Sequence, residues 1–428
     1  MRVKIIPKKL HGTIEAIPSK SHAHRILIAQ KLAQIQGQLK AGMLNISSFS
    51  KDIEATKECL SQLSESTDTE SMHIFDCKES GSTLRFMLPT AMAVLDKAIF
   101  KGAGKLPERP ISPLKEEMER HGCRFEIPDK TTSGKTIGNK ETEICRIYGK
   151  LKPGEYSLAG NISSQFITGL LFALPLLKDD SLLKITTPLE SAGYVDLTLR
   201  VLKDFGIRID EQISKDGLIT YKIPGNQIYT EPEGLYIEGD WSNAAFWICC
   251  GALGGSITCT GLDINSAQKD KEIVSILKSM GAEITLNRSS VYCRKAELNG
   301  IKLGVSQFPD LVPVMAAVMA MAEKQSCITD AHRLRIKESD RLNSVCDFLT
   351  RLGADIRQNG DELIINGREK LQGGEADGHN DHRIVMAAAV ASCSCQNPVI
   401  INGAEAVKKS YPGFFKDFAA LGGEVYEI

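Results

Sequence analysis

Six times along this chain, a short polar motif stands directly in front of a helix-length apolar run. The runs are His24–Ala33, Leu84–Leu95, Gln165–Leu177, Asn243–Leu253, Leu311–Ala322 and Arg383–Ser392. Their heads are Ser19-Lys20-Ser21, Ser80-Gly81-Ser82, Asn161-Ile162-Ser163-Ser164, Asp240-Trp241-Ser242, Pro309-Asp310 and Asn380-Asp381-His382. A helix that is apolar on nearly every side has to be buried. Its N-terminus exposes unpaired N–H groups and the positive end of a dipole. Several such ends, dressed with Ser, Lys and Arg, are seats for phosphate and carboxylate groups. The pattern points to an enzyme for small, highly anionic substrates.

Those cations must be gathered locally, because the whole chain carries a formal net charge of −1. Bulk attraction to nucleic acid or membrane is therefore not expected. The 428 residues are too many for one ordinary core and favour two domains. The first residues, Met1-Arg2-Val3-Lys4-Ile5-Ile6, alternate like a strand rather than forming a signal peptide. No apolar run reaches membrane-spanning length without a break. The twelve Cys form no CxxC pair, and the eight His show no HxxxH spacing. This suits a reduced, cytoplasmic setting, with neither disulfides nor a zinc site expected.

A second helical pattern, this one amphipathic, follows each apolar run. The segments are Asp52–Leu63, Pro113–Arg120, Asp196–Phe205, Lys271–Met280, Glu338–Leu352 and Gly413–Leu421. Gly122, Gly206, Gly281, Gly353 and Gly422 stand at or just past the ends of the last five, where a left-handed C-cap is expected. They recur at intervals of roughly 70–85 residues, the signature of a repeat. The first segment has Ser64 instead. Each unit reads strand, apolar helix, strand, amphipathic helix, strand, strand. Three units make a domain of conventional size, which puts the split near Glu231-Pro232-Glu233-Gly234. The last unit ends one strand short at Glu424–Ile428, and Met1–Ile17 can supply that strand. The expected domains are thus residues 18–234, and residues 1–17 with 235–428, joined by two chain crossings that form a hinge.

The chemistry-bearing motifs sit at the helix heads. Arg335-Ile336-Lys337-Glu338-Ser339-Asp340-Arg341 opens the fifth amphipathic helix, with Lys337 and Arg341 as i,i+4 neighbours. Cations in a first helical turn oppose the dipole, which makes sense beside an anion. Lys20 offers a compact charge, and Arg25 can grip an anion bidentately. His22 and His24 face different sides of a helix and read as packing or surface residues. Ser80-Gly81-Ser82 resembles a small phosphate nest, or else a helix cap. Arg109 lies between Pro107 and Pro110. Ser163, Ser164 and Gln165 present consecutive donors suited to a polyhydroxylated substrate. Ser191 and Tyr194 fall in the loop before the third amphipathic helix, where they too can act as caps. Asp310 reads either as an N-cap or as a general base. His382 can relay protons, Arg383 can bind carboxylate, and Lys409 completes the cation set.

Taken in order, Ser-Lys-Ser, Glu-Arg-Pro-Ile, Ser-Ser-Gln-Phe, Arg-x-Lys-Glu-Ser-Asp-Arg and Asn-Asp-His-Arg resemble the EPSP synthase family, the 3-phosphoshikimate 1-carboxyvinyltransferases. The resemblance runs from Ile17 to Pro412. It implies an α/β fold of two domains, each of three βαβαββ units around buried helices, an inside-out α/β barrel, with the active site in the interdomain cleft. It implies transfer of the enolpyruvyl group of phosphoenolpyruvate to the 5-hydroxyl of shikimate 3-phosphate, with release of phosphate. The shikimate 3-phosphate contacts it implies are Lys20, Ser21, Arg25, Ser163, Ser164, Gln165, Ser191, Tyr194, Asp310 and Lys337. For phosphoenolpyruvate they are Lys20, Gly81, Arg109, Gln165, Arg341, His382, Arg383 and Lys409. Asp310 resembles the base, and Glu338, Lys20 or His382 the donor of a proton to the methylene carbon. Neither a metal nor an organic cofactor is implied, and a monomer is the default.

Two positions depart from the family pattern. Glu79-Ser80-Gly81-Ser82 stands where Asn-Ala-Gly-Thr or Asn-Ser-Gly-Thr is usual, so Glu79 is expected to point away from the anion. Arg333 stands where some members carry a substrate-contacting Asn. The related UDP-N-acetylglucosamine enolpyruvyl transferases usually carry a reactive Cys before the Arg-Pro turn, and Gly102–Pro110 has none. A non-catalytic RNA-binding relative is disfavoured by the near-neutral charge.

Overall fold

All six apolar runs are helical in the computed structural model, which describes residues 1–39, 44, 50–63, 72–128 and 141–428. The helices are Lys20–Ile35, Gly81–Val94, Ser164–Ala173, Trp241–Ala252, Val312–Met319 and His382–Ser392. Every residue of the last three is buried. The amphipathic partners are Lys51–Ser61, Leu114–Arg120, Ala192–Asp204, Ile273–Ser279, Arg341–Arg351 and Phe414–Ala420. Each repeat glycine directly follows a C-cap residue and has positive φ, from 78° to 106°. At Gly206, its N–H donates to the Lys203 carbonyl and the next N–H, of Ile207, donates to that of Leu202. The same two bonds recur at the other four, so each amphipathic helix ends in a Schellman turn. Ser64, the exception, lies outside the described residues.

Five four-stranded sheets are present among the described residues. In His73–Asp76, Lys97–Gly102, Thr142–Tyr148 and Arg124–Glu126, the first pair is parallel and the other pairings are antiparallel. The other four sheets follow the same plan. The N-terminal segment contributes to two of them. Arg2–Ile6 lies between Val399–Asn402 and Glu424–Glu427, antiparallel to both. His11–Glu15 pairs in parallel with Ser256–Thr260 and so provides the first strand of the fourth repeat. Only one strand was expected from this segment. The second is needed because the stretch before Trp241 forms no strand, only an isolated bridge between Pro18 and Gly239.

By contacts, the chain divides into two compact units, Met1–Ser19 with Glu238–Ile428, and Lys20–Ile237. Each has its own hydrophobic core. In the first, the three buried helices run parallel. Their N-termini are tied together, as described below, and their C-terminal ends at Leu253, Ala322 and Cys393 line one groove. Lys8, Lys9, Lys295, Arg368 and Lys370 outnumber Glu297, Glu323 and Glu369 along that groove, which suits the negative ends of the dipoles. In the second unit, Gly81–Val94 and Ser164–Ala173 pack closely. Pro89 cannot donate to the Arg85 carbonyl. Gly169 lies flush against that carbonyl, which a Cβ there would approach to 2.5 Å.

Ile5 is fully buried in the strand that closes the last sheet. Ile5→Ala is expected to destabilise the protein by about 2–5 kcal/mol. Ile428→Ala, at a side chain 56% exposed, should stay within about 0.5 kcal/mol. Urea unfolding of both variants checks the contrast.

Candidate active site

In the Lys20–Ile237 unit, polar side chains knit several helix N-termini together. Lys20 heads its helix, with Nζ 2.8 Å from Asp52 Oδ2. The Asp52 carbonyl oxygen lies 3.3 and 3.4 Å from the Thr56 and Thr83 hydroxyl oxygens. Ser80 is the N-cap of Gly81–Val94, its Oγ accepting from the Thr83 N–H. Gln165 Nε2 donates to Ser82 Oγ at 2.9 Å, and Arg85 donates to Gln165 Oε1 at 2.6 Å. A second Arg85 nitrogen donates to the Pro110 carbonyl, next to Arg109, at 3.2 Å. Gly81 has a helical φ, so it is not a turn glycine. Its role is spatial: a Cβ would come within 2.6 Å of an Arg109 guanidinium nitrogen. Glu79 packs over Gly104.

Arg25 is buried one turn beyond Ser21. It donates to the Ser21 carbonyl at 2.6 Å, the Tyr194 carbonyl at 2.8 Å, and the Thr198 and Thr168 hydroxyls at 2.8 and 3.4 Å. No carboxylate pairs with it among the described residues, and burial lowers its pKa to about 10. Ser163 caps its helix through the Gln165 N–H, and Ser164 is the first helical residue. The loop expected at Ser191 and Tyr194 is displaced. The helix starts at Ala192, which puts Tyr194 in its first turn and leaves Ser191 as N-cap at φ 54°. The Ser191 side chain makes no cap bond. His22 and His24 are both buried in the Lys20–Ile35 helix.

The Met1–Ser19 and Glu238–Ile428 unit holds a knot of charges. Asp310 lies within the short turn Pro309–Leu311, whose N-cap is Phe308, and Leu311 is the N-cap of the helix that follows, so the N-cap reading falls. Its carboxylate meets Lys337 at 3.1 Å, Arg341 at 2.8 Å and Arg383 at 3.3 Å. Burial pushes its pKa up, and Arg383, Lys337 and Arg341 more than reverse this, holding it well below the usual carboxylate range. Arg383 also donates to Ser242 Oγ at 2.7 Å. One guanidinium thereby joins the N-termini of all three buried helices. Arg341 is itself surrounded, with Asp381 and Glu338 each at 2.8 Å besides Asp310. Asp381 is fully buried and caps the His382–Ser392 helix through the Arg383 N–H. His382 Nδ1 lies 3.8 Å from Asp381 Oδ1, and Lys409 donates to the Asn380 carbonyl at 2.7 Å.

The expected helix face shared by Lys337 and Arg341 does not exist. Lys337 is extended, and the helix begins at Arg341 behind an Asp340 cap. The two cations meet through Asp310 instead. Burial lowers the Lys337 pKa against the pull of Asp310, while Arg333 and Arg341 lower it further. Sequence reasoning missed Asp52, Arg85, Ser242 and Asp381. Arg85, Ser242 and Asp381 lie in or beside the polar heads, where the signal was available, whereas Asp52 opens an amphipathic segment. A buried cation requires a buried acceptor, and the Asp of Asn-Asp-His-Arg is one. Among the described residues, no group of three His, Cys, Asp or Glu could hold a metal ion.

Removing one partner of a buried ion pair leaves the other uncompensated, at about 3–5 kcal/mol. Arg341→Leu is expected to cost that much near neutral pH. Asp310 and Asp381 have depressed folded pKa values, so their stabilisation is present above their unfolded values and is lost as the pH falls through the folded ones. The gap between variant and wild type should therefore narrow below about pH 4. Urea titrations across pH measure it.

The geometry invites comparison with known proteins. A family model described as EPSP synthase (3-phosphoshikimate 1-carboxyvinyltransferase) matches residues 5–418. A 3-phosphoshikimate 1-carboxyvinyltransferase of Clostridium kluyveri is 44% identical, covering 99% of this chain and 98% of the relative. One from Clostridium perfringens is 42% identical, over 100% and 99%. Among solved structures, the EPSP synthase of Acinetobacter baumannii matches with TM-score 0.74 at 23% identity over 100% of both chains. The enolpyruvyl transferase NikO from Streptomyces tendae matches with TM-score 0.71 at 15% identity, over 99% and 98%. The two structures share the fold, and the family match over nearly the whole chain places this protein in the EPSP synthase family.

Proposed function

We propose that this protein transfers the enolpyruvyl group of phosphoenolpyruvate to the 5-hydroxyl of shikimate 3-phosphate, releasing phosphate. The observation that carries the reading is the charge knot at the converging helix N-termini. Arg341, Arg383, Lys337, Arg333 and Lys409 there outnumber Asp310, Glu338, Asp381 and the helix cap Asp240. Such a surplus suits a small polyanion.

Shikimate 3-phosphate is assigned Lys20, Ser21, Arg25, Ser163, Ser164, Gln165, Ser191, Tyr194, Asp310 and Lys337. Phosphoenolpyruvate is assigned Lys20, Gly81, Arg109, Gln165, Arg341, His382, Arg383 and Lys409. The methylene carbon gains a proton from Glu338, Lys20 or His382, and the adjacent carbon becomes cationic in character. The 5-hydroxyl oxygen bonds to that carbon and passes its proton to Asp310. Loss of phosphate and of one methyl proton from the tetrahedral adduct restores the double bond. Asp310 is a weak base while three cations hold it. The anionic groups of phosphoenolpyruvate draw on the same cations, so its basicity rises as the substrate binds. Clustered guanidinium groups supply positive charge without a metal or cofactor. The protein acts as a cytoplasmic monomer on small molecules, not on nucleic acid or membrane.

Phosphate release is expected to require both substrates. Asp310→Asn should bind shikimate 3-phosphate yet lose about 10²–10⁴-fold in kcat. Turnover with UDP-N-acetylglucosamine and none with shikimate 3-phosphate sinks the assignment.

Gly81→Ala pushes its new Cβ against Arg109. Glyphosate is the longer anion for the phosphoenolpyruvate seat. Its inhibition constant should rise roughly tenfold or more, and further than the KM for phosphoenolpyruvate. An unchanged ratio of the two constants removes Gly81 from the seat.

A further inference from the structure

His24 was read from sequence as a packing or surface residue, and the reaction proposed above does not use it. The ring is 1% exposed and packs edge-on against Phe86 at 6.2 Å. Burial, then Lys20 and Arg25, hold its pKa well below the usual histidine range, so it is neutral. Nε2 is buried with no partner among the described residues. An apolar ring of similar size would avoid that cost. What histidine adds is its other nitrogen, Nδ1, which shares a 2.8 Å hydrogen bond with Thr56 Oγ1.

That bond starts a buried chain. Thr56 Oγ1 shares a 2.6 Å hydrogen bond with Thr83 Oγ1, and the Thr83 hydroxyl donates to Ser80 Oγ at 2.7 Å. Thr56 and Thr83 are fully buried and Ser80 is 1% exposed. Ser80 Oγ caps the helix that begins at Gly81. The chain therefore fixes the backbone at Gly81.

We propose that His24 is a positioning residue for the phosphoenolpyruvate seat, acting through the Thr56–Thr83–Ser80 hydroxyl chain on Gly81. It touches no substrate. The inference rests on the functional reading above.

The test compares His24→Phe and His24→Asn in the full chain. Phenylalanine keeps the ring and loses the hydrogen bond. Asparagine places an amide oxygen or nitrogen near the site of Nδ1 and can restore the bond. His24→Phe is expected to raise the KM for phosphoenolpyruvate roughly tenfold, the equivalent of about 1.4 kcal/mol. The KM for shikimate 3-phosphate and kcat should change less than about threefold, and His24→Asn should recover most of the loss. A phenylalanine variant with wild-type KM for phosphoenolpyruvate overturns the proposal. So does one that weakens both substrates equally with no recovery in the asparagine variant, which is the mark of general loosening. Wild-type protein that turns over neither substrate fails the parent reading, and this inference with it.

Discussion

Like ends of helix dipoles repel, and this fold brings them together. In the unit containing Asp310, three fully buried helices run parallel and present their N-termini to one another. Three such ends amount to roughly 1.5 positive charges. Arg341 and Arg383 are then added at the same place. The assembly holds because Asp310 and Asp381 sit between the cations, and because Asp381 also caps a helix. These carboxylates neutralise the knot only in part. What remains is a buried positive field with its donors already oriented, which is the condition for stabilising negative charge without reorganisation.

The other unit solves the same problem mostly with uncharged groups, beside the Lys20–Asp52 pair and Arg85. There Ser80 and Ser163 cap the buried helices, Gln165 reaches across to Ser82, and threonine hydroxyls bridge neighbouring helices. Arg25 is buried among carbonyls and hydroxyls rather than carboxylates. One unit therefore offers many directional donors and acceptors, and the other offers charge. A substrate with several hydroxyl groups needs the former, and a compact polyanion the latter.

Much of this was legible in sequence because it is local. An all-round apolar run can only be a buried helix, and a glycine after an amphipathic run announces its Schellman turn. Gly206 and Gly353 behave as read. What was not legible depends on partners distant in sequence. His11–Glu15 is fully or partly exposed along its length and carries little strand signal of its own. Its place is set by pairing with Ser256–Thr260. The start of the Arg341 helix was misplaced because a run of charges looks helical, while the capping by Asp340 depends on backbone geometry. Asp381 was passed over beside its more reactive neighbours, although a buried arginine pair cannot stand without it.

The order in which the chain is made gives the N-terminal strands an unusual history. Arg2 and its hydrogen-bonding partner Asn402 are 400 positions apart. At roughly 5–20 residues per second, the ribosome delivers the second about 20–80 s after the first. Throughout that interval Arg2–Ile6 has no sheet to join; His11–Glu15 waits only for Ser256–Thr260, and the Lys20–Ile237 unit is complete in sequence before either partner is made. Every nascent molecule thus carries an unpaired strand ahead of a finished unit. Arg2 and Lys4, alternating with Val3 and Ile5, keep that waiting edge charged. The repeat architecture leaves the later-made unit dependent on earlier-made residues, so its last sheet can close only after Val399–Asn402 and Glu424–Glu427 have been made.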